Sequence, residues 1–80
     1  MTKEEIRSNV NEIFRDVLED DQLEIKDKTT SKDVEGWDSL SHIMLIVAVE
    51  KRFKIKFLST EIHSWQNVGE MCEFIKGKIS

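Results

Sequence analysis

The sequence predicts an all-α fold, a bundle of three longer helices and one short one, with a long loop between the first and second. Two capping-box signatures, Thr2/Glu5 and Asn67/Glu70, each stand before an apolar run spaced at threes and fours. Between them a segment of about fifteen residues opens on Asp38 and Ser39, a helix-start pair.

The first helix, about residues 3–19, carries Ile6, Val10, Ile13, Phe14, Val17 and Leu18 along one stripe. Residues 20–38 are polar and irregular, broken only by Leu23, Ile25, Val34 and Trp37. A structureless stretch of that length is unusual in a compact domain and signals either a functional loop or a wrong assignment of elements. Its four apolar residues are expected to pin it over the core, Trp37 being the largest anchor. The next segment is ambiguous by pattern alone. Ile43 to Val49 is a continuous apolar run that also suits a buried strand, and Phe53 to Phe57 alternates as a half-exposed strand does. Length and the start signal favour a helix over residues 39–53. Ser59 or Thr60 could then cap a short helical turn carrying Ile62 and leading to Trp65. The last helix, about residues 68–79, sets Val68, Met71, Cys72, Ile75 and Ile79 on one stripe. Cys72 is accordingly expected as a small buried side chain and not a reactive thiol.

With 80 residues, 39% of them apolar, the chain suits one domain spanning residues 1–80, with a modest core and little room for an enclosed catalytic cleft. The longest apolar run has seven residues, too few to cross a bilayer, and the first residues lack the apolar core of a signal peptide. The lone Cys72 builds no disulfide framework, which fits a reducing cytoplasm; a monomer is expected. The net charge of −4 divides into −6 over residues 1–38 and +2 over residues 39–80. An acidic domain is a poor nucleic-acid binder, and the basic cluster Lys51 to Lys56 reads more simply as a solvated segment. Neither a nucleic-acid nor a membrane partner is expected.

Ser39 and His42 stand three apart on a predicted helix, as a nucleophile and its base would, and Asp38 is beside them. But Asp38 is badly placed to orient His42, and nothing nearby supplies an oxyanion hole. No catalytic residue is therefore expected, and the trio is not expected to give self-contained hydrolase activity. His42 and His63 with scattered carboxylates have no metal-ligand spacing, so no metal is expected. A serine at the first position of a helix projects its hydroxyl into solvent at the positive end of the helix dipole. A phosphate on that hydroxyl would be favoured there. On these grounds alone, Asp38 and Ser39 could equally be no more than a cap.

At Gly36-Trp37-Asp38-Ser39-Leu40 the sequence resembles the acyl carrier proteins, whose Asp-Ser-Leu signature holds a serine bearing 4′-phosphopantetheine. The resemblance covers nearly the whole chain: the amphipathic first helix, the long loop, the motif opening helix two, Glu50 and Phe53 at that helix's end, and a last helix of family length. It implies a four-helix bundle of the acyl carrier protein type, with residues 39–53 helical. It also implies 4′-phosphopantetheine attached covalently to Ser39, its thiol carrying acyl intermediates as thioesters between enzymes of a fatty acid or polyketide-like pathway. The implied partners are a phosphopantetheinyl transferase and acyl-loading and acyl-transfer enzymes. Fatty-acid-synthesis members have a second helix thick with Asp and Glu. Here Ser41, His42, Met44, Lys51 and Arg52 stand in that stretch, which looks like a discrete carrier of a specialised pathway. An aminoacyl or peptidyl carrier of similar fold is the alternative, and a plain helical interaction module is the rival of another class.

Ile13, Val17, Leu45, Ile46, Val49, Phe53, Ile62, Met71 and Ile75 are expected to form most of the core, drawn from all four helices. On the second helix Ser39, Ile43 and Val47 follow one another at four-residue spacing, with Leu40 and Met44 alongside, opposite Leu45, Ile46, Val49 and Phe53. A small bundle covers one of these faces well. Leu40, Ile43, Met44 and Val47 are therefore expected as an apolar docking stripe, with Asp38 and Glu50 steering a basic partner. The plainer reading folds loop 20–38 over that stripe.

Overall fold

A computed structural model describes residues 1–79. Its helices are α1 (Lys3–Leu18), α2 (Ser39–Phe53), α3 (Ser59–Ile62) and α4 (Val68–Ile79), and no strand occurs among the described residues. The apolar run 43–49 is thus helical. Phe53 to Phe57, whose alternation suited a strand, is the end of α2 and an irregular connection that buries Phe57.

The box at the start of α1 forms as its spacing requires. Thr2 Oγ1 accepts the Glu5 N–H at 3.2 Å, and the Glu5 carboxylate accepts the Thr2 N–H at 2.9 Å. The helix closes at Glu19, which takes the left-handed conformation with φ 53°. The second box is split: Asn67 Oδ1 accepts the Glu70 N–H at 2.9 Å, but the Glu70 carboxylate reaches the Gln66 N–H, at 3.1 Å. Neither Ser59 nor Thr60 caps α3. The helix begins at Ser59 itself, so Leu58 occupies the cap position, and its N–H is held by Glu61 Oε1 at 2.7 Å.

Helix α1 packs on both α2 and α4. Its Ile6, Val10, Ile13 and Phe14 join Leu45, Ile46 and Val49 of α2 and Val68, Met71, Cys72 and Ile75 of α4 in one core. Each fully buried large side chain contributes about 1.5–3 kcal/mol. Three expected core residues, Val17, Phe53 and Ile62, are only half-buried. Val17 and Phe53 lie in the last turns of their helices, and four-residue α3 buries no residue fully. Loop and connection residues complete the interior instead: Ile25, Val34, Trp37, Phe57 and Trp65 are all buried. Phe14 and Trp37 meet edge-on, with ring centroids 4.9 Å apart.

Polar side chains fasten the loop to α1. Arg15 Nε donates to the Leu23 carbonyl at 2.6 Å, and Asn11 Oδ1 accepts the Ile25 N–H at 2.7 Å. On its other flank, the carbonyls of Asp27 and Thr29 accept the N–H groups of Gly69 and Val68 at 2.8 and 2.9 Å. These are two of the donors that the start of α4 cannot satisfy within the helix. Gly36 then turns the chain into α2 with φ 90°, a conformation that a side chain resists. No helix among the described residues is long and apolar enough to cross a membrane.

Candidate functional site

The loop delivers Asp38 as the N-cap of α2 and Ser39 as its first residue, exposed at the positive end of the helix. The cap is a reciprocal pair of Asp38 with Ser41. Asp38 Oδ1 accepts the Ser41 N–H at 2.9 Å, and Ser41 Oγ accepts the Asp38 N–H at 2.7 Å while donating to the Gly36 carbonyl at 2.7 Å. Ser41 is buried with its bonds satisfied, so Ser39 is not needed as a cap. The Ser41 N–H is the main reason that the Asp38 carboxyl titrates below its ordinary value; desolvation opposes it.

The ring of His42 is fully engaged. Its Nδ1 accepts the Trp37 indole N–H at 3.1 Å, so Nε2 carries the proton and donates to the Ile62 carbonyl at 3.0 Å. With both nitrogens occupied and Asp38 turned to Ser41, no catalytic relay links Asp38, His42 and Ser39. Instead His42 ties the start of α2 to the end of α3. The Trp37 and His63 rings each stack on it with centroids 6.1 Å away, and Trp65 lies tilted at the same distance. These rings and Ser39 border an open cavity of about 530 Å³. Sequence spacing gave no sign of it, because His63 and Trp65 arrive from the irregular stretch between α3 and α4.

The four stripe residues are exposed: Leu40 by 73%, Ile43 by 47%, Met44 by 49% and Val47 by 43%. The loop does not cover them. Glu50 is half-buried, and its Oε2 accepts the Phe57 N–H at 2.8 Å. Its carboxylate thus fastens the connection after α2 and is less free to steer a partner than Asp38. An exposed hydroxyl at a helix N-terminus, with the adjacent carboxylate drawn to Ser41, fits a phosphate ester.

Residues 9–75 match the family model described as a phosphopantetheine attachment site. Over 79 residues the chain is 30% identical to an acyl carrier protein of Exiguobacterium sibiricum, covering 99% of this chain and 100% of that one. The chain belongs to the acyl carrier protein family. It is also 36% identical to an acyl carrier protein of Clostridium acetobutylicum over 67 residues, 84% of this chain and 87% of that one. The solution NMR structure of a holo acyl carrier protein from Geobacter metallireducens matches with a TM-score of 0.86 and 36% identity, over 92% of this chain and 85% of that one. An acyl carrier protein is a carrier and not an enzyme, and its 4′-phosphopantetheine is covalently attached. Acyl carrier proteins interact with transferases and acyl-handling enzymes. These matches do not favour an aminoacyl or peptidyl carrier, or a plain interaction module.

Proposed function

We propose that Ser39 is the attachment residue and that this carrier serves a specialised biosynthetic pathway, read by its partners through an apolar stripe. The observation that carries the reading is the exposed Ser39 at the head of α2, released from capping by the Asp38–Ser41 pair. A phosphopantetheinyl transferase would approach Ser39 over Leu40, Ile43, Met44 and Val47, with Asp38 supplying the nearest negative charge. When bound, 4′-phosphopantetheine supplies the thiol on which acyl groups travel as thioesters. The protein's own part is to hold the serine outward, anchor the loop before it and present the stripe. The sparse acid on α2, where Glu50 is the one carboxylate among Ser39–Phe53, supports a specialised pathway over primary fatty-acid synthesis. A monomeric domain spanning residues 1–80 in a reducing cytoplasm completes the reading, in keeping with the lone buried Cys72.

The test is intact mass after incubation with coenzyme A and a promiscuous phosphopantetheinyl transferase. The wild-type chain gains one phosphopantetheinyl mass, and Ser39→Ala gains none. No gain in the wild type, or a gain that survives Ser39→Ala, rejects the assignment.

A further inference from the structure

His42 belongs to no catalytic relay, yet it holds the side chain that anchors the backbone just ahead of Ser39. Between Val34 and the head of α2, Trp37 is the single buried residue, at 8% exposure. Gly36 before it has no side chain to be held and takes φ 90°. Two contacts grip Trp37. Phe14 of α1 meets it edge-on at 4.9 Å, and His42 Nδ1 accepts its indole N–H at 3.1 Å. The hydrogen bond is the more directional of the two and fixes how the indole is turned against α2. Asp38 and Ser39 follow next in the chain.

That grip needs a neutral ring. A protonated imidazole is a donor at both nitrogens, so Nδ1 would set its own N–H against that of Trp37. The indole donor would then be buried without an acceptor. Nε2 carries a proton in either state, so the bond to the Ile62 carbonyl at 3.0 Å survives. Protonation thus releases Trp37 and leaves α3 held. Histidine is the side chain that ordinarily changes charge between pH 5 and 8. The Asp38 carboxylate is turned to the Ser41 N–H at 2.9 Å, and Glu61 of α3 pairs with Lys78 of α4 at 3.0 Å. From α1 the nearest ring is Phe14, reached through Trp37, and from α4 it is Phe74, reached through Trp65. His63 stacks on the His42 ring at 6.1 Å and is exposed.

We propose, resting on Ser39 as the attachment residue, that His42 is a positioning residue for the modification of Ser39. Its neutral ring holds Trp37 so that the hydroxyl is presented in one orientation, and protonation of the ring undoes this. His42 acts through Trp37 and takes no proton from Ser39.

Transfer of phosphopantetheine from coenzyme A to the unmodified chain is followed by intact mass under one promiscuous transferase, from about pH 8 to 5. Circular dichroism verifies that each chain stays folded. Each kcat/KM is divided by that of His42→Asn at the same pH, which cancels the enzyme's own pH dependence. Asn places a neutral acceptor near the position of Nδ1 and does not titrate, whereas Gln reaches toward the Ile62 carbonyl instead. At pH 8 the wild type and His42→Asn are expected to agree within about twofold. His42→Gln and Trp37→Phe are expected to be about fivefold slower, the worth of one net hydrogen bond. Toward pH 5 the wild-type ratio falls by about the same factor, while that of Trp37→Phe, which has no indole N–H to release, stays flat. His63→Ala follows the wild type, so the fall belongs to His42. In the ¹⁵N-labelled wild type, the Trp37 indole signal moves along the same curve as the His42 ring signals. Should His42→Asn not fold, Trp37→Phe takes its place as the divisor, and the wild-type ratio then falls from about five to one. A wild-type ratio that stays flat, a fall shared by Trp37→Phe, or His42→Gln as fast as His42→Asn overturns the positioning inference and leaves the carrier reading standing. No mass gain in the wild type, or a gain surviving Ser39→Ala, overturns both.

Discussion

Asp38 and Ser41 each accept the other's backbone N–H, at 2.9 and 2.7 Å, and that exchange sets the first turn of α2. Because the Asp38 carboxyl titrates below its ordinary 3.8 in the fold, the unfolded chain takes up that proton first as pH falls. The stabilisation is therefore present above 3.8 and lost as pH drops through the lower folded value. Asp38→Asn keeps a capping oxygen but removes the titration. In urea unfolding at a series of pH values from about 5 to 2, the wild-type advantage over Asp38→Asn is expected to shrink steadily toward acid. A gap that does not vary with pH refutes this. Ser41→Ala, which removes a buried hydroxyl from the same exchange, is expected to lower stability by about 1–2 kcal/mol.

Met44, 49% exposed at the middle of the stripe, is the position to test for docking. Met44→Glu should slow acyl transfer by a partner enzyme while changing stability by less than about 0.5 kcal/mol, as surface substitutions do. Transfer by the wild type should also vary little with ionic strength, since apolar contact is not screened as surface charge is. Unfolding of the variant, or unchanged transfer, removes the stripe from recognition.

Two glycines of α4 should respond in opposite directions to alanine. A Cβ at Gly69 would stand 2.9 Å from the Asp27 carbonyl oxygen, a backbone atom that cannot swing aside. Gly69→Ala is expected to cost roughly 1–3 kcal/mol despite the better helix propensity. At Gly77 the added methyl meets nothing within 4 Å, so Gly77→Ala should gain about 0.5–1 kcal/mol. Thermal unfolding of the pair decides the matter, and shifts of the same sign contradict it.

Phe14 and Phe53 separate the true interior from its rim. Phe14 is fully buried and meets Trp37 edge-on, so Phe14→Ala should cost about 3–5 kcal/mol. Phe53 is half-buried at the end of α2, and Phe53→Ala should cost ~2 kcal/mol. Equal losses in denaturant unfolding would show that Phe53 belongs to the interior after all.

Cys72 is fully buried, and burial pushes its thiol up to about 11. At pH 8 the native chain should react with iodoacetamide at least about a hundredfold more slowly than the urea-unfolded chain, because thiolate is the nucleophile and the buried sulfur is also inaccessible. Comparable rates in the two states would contradict a buried thiol.

The ends of the fold were legible in the sequence because α1 and α4 each carry one apolar stripe behind a capping signature. Helix α2 was not legible from periodicity. It buries Leu45, Ile46 and Val49 yet exposes Leu40, Ile43, Met44 and Val47, so its apolar residues form no single stripe. The Asp-Ser-Leu motif identified it where pattern could not. The capping role of Ser41 was not legible because it stands where the familiar box has Glu or Gln, and its reach depends on the turn that Gly36 makes. Phe53 and Ile62 were overvalued because an apolar residue near the end of a helix looks the same in sequence as one at its centre. The aromatic cavity depends on residues 37, 42, 63 and 65 meeting through two irregular segments, and no local spacing encodes that.

The join between the loop and α4 runs through main-chain carbonyls of Asp27 and Thr29. Every residue type supplies such a carbonyl, so the join itself is blind to which side chains occupy those two positions. Over evolutionary time the residues there can be rewritten without unfastening the loop, provided the backbone path is kept. The constraint falls on the other side of the join, at Gly69, where anything larger than hydrogen collides with Asp27. As far as this join is concerned, substitution on its carbonyl side is limited only by the separate bonds of the Asp27 carboxylate to Arg7 and of Thr29 Oγ1 to the Lys26 N–H, while the other side stays confined to a single residue.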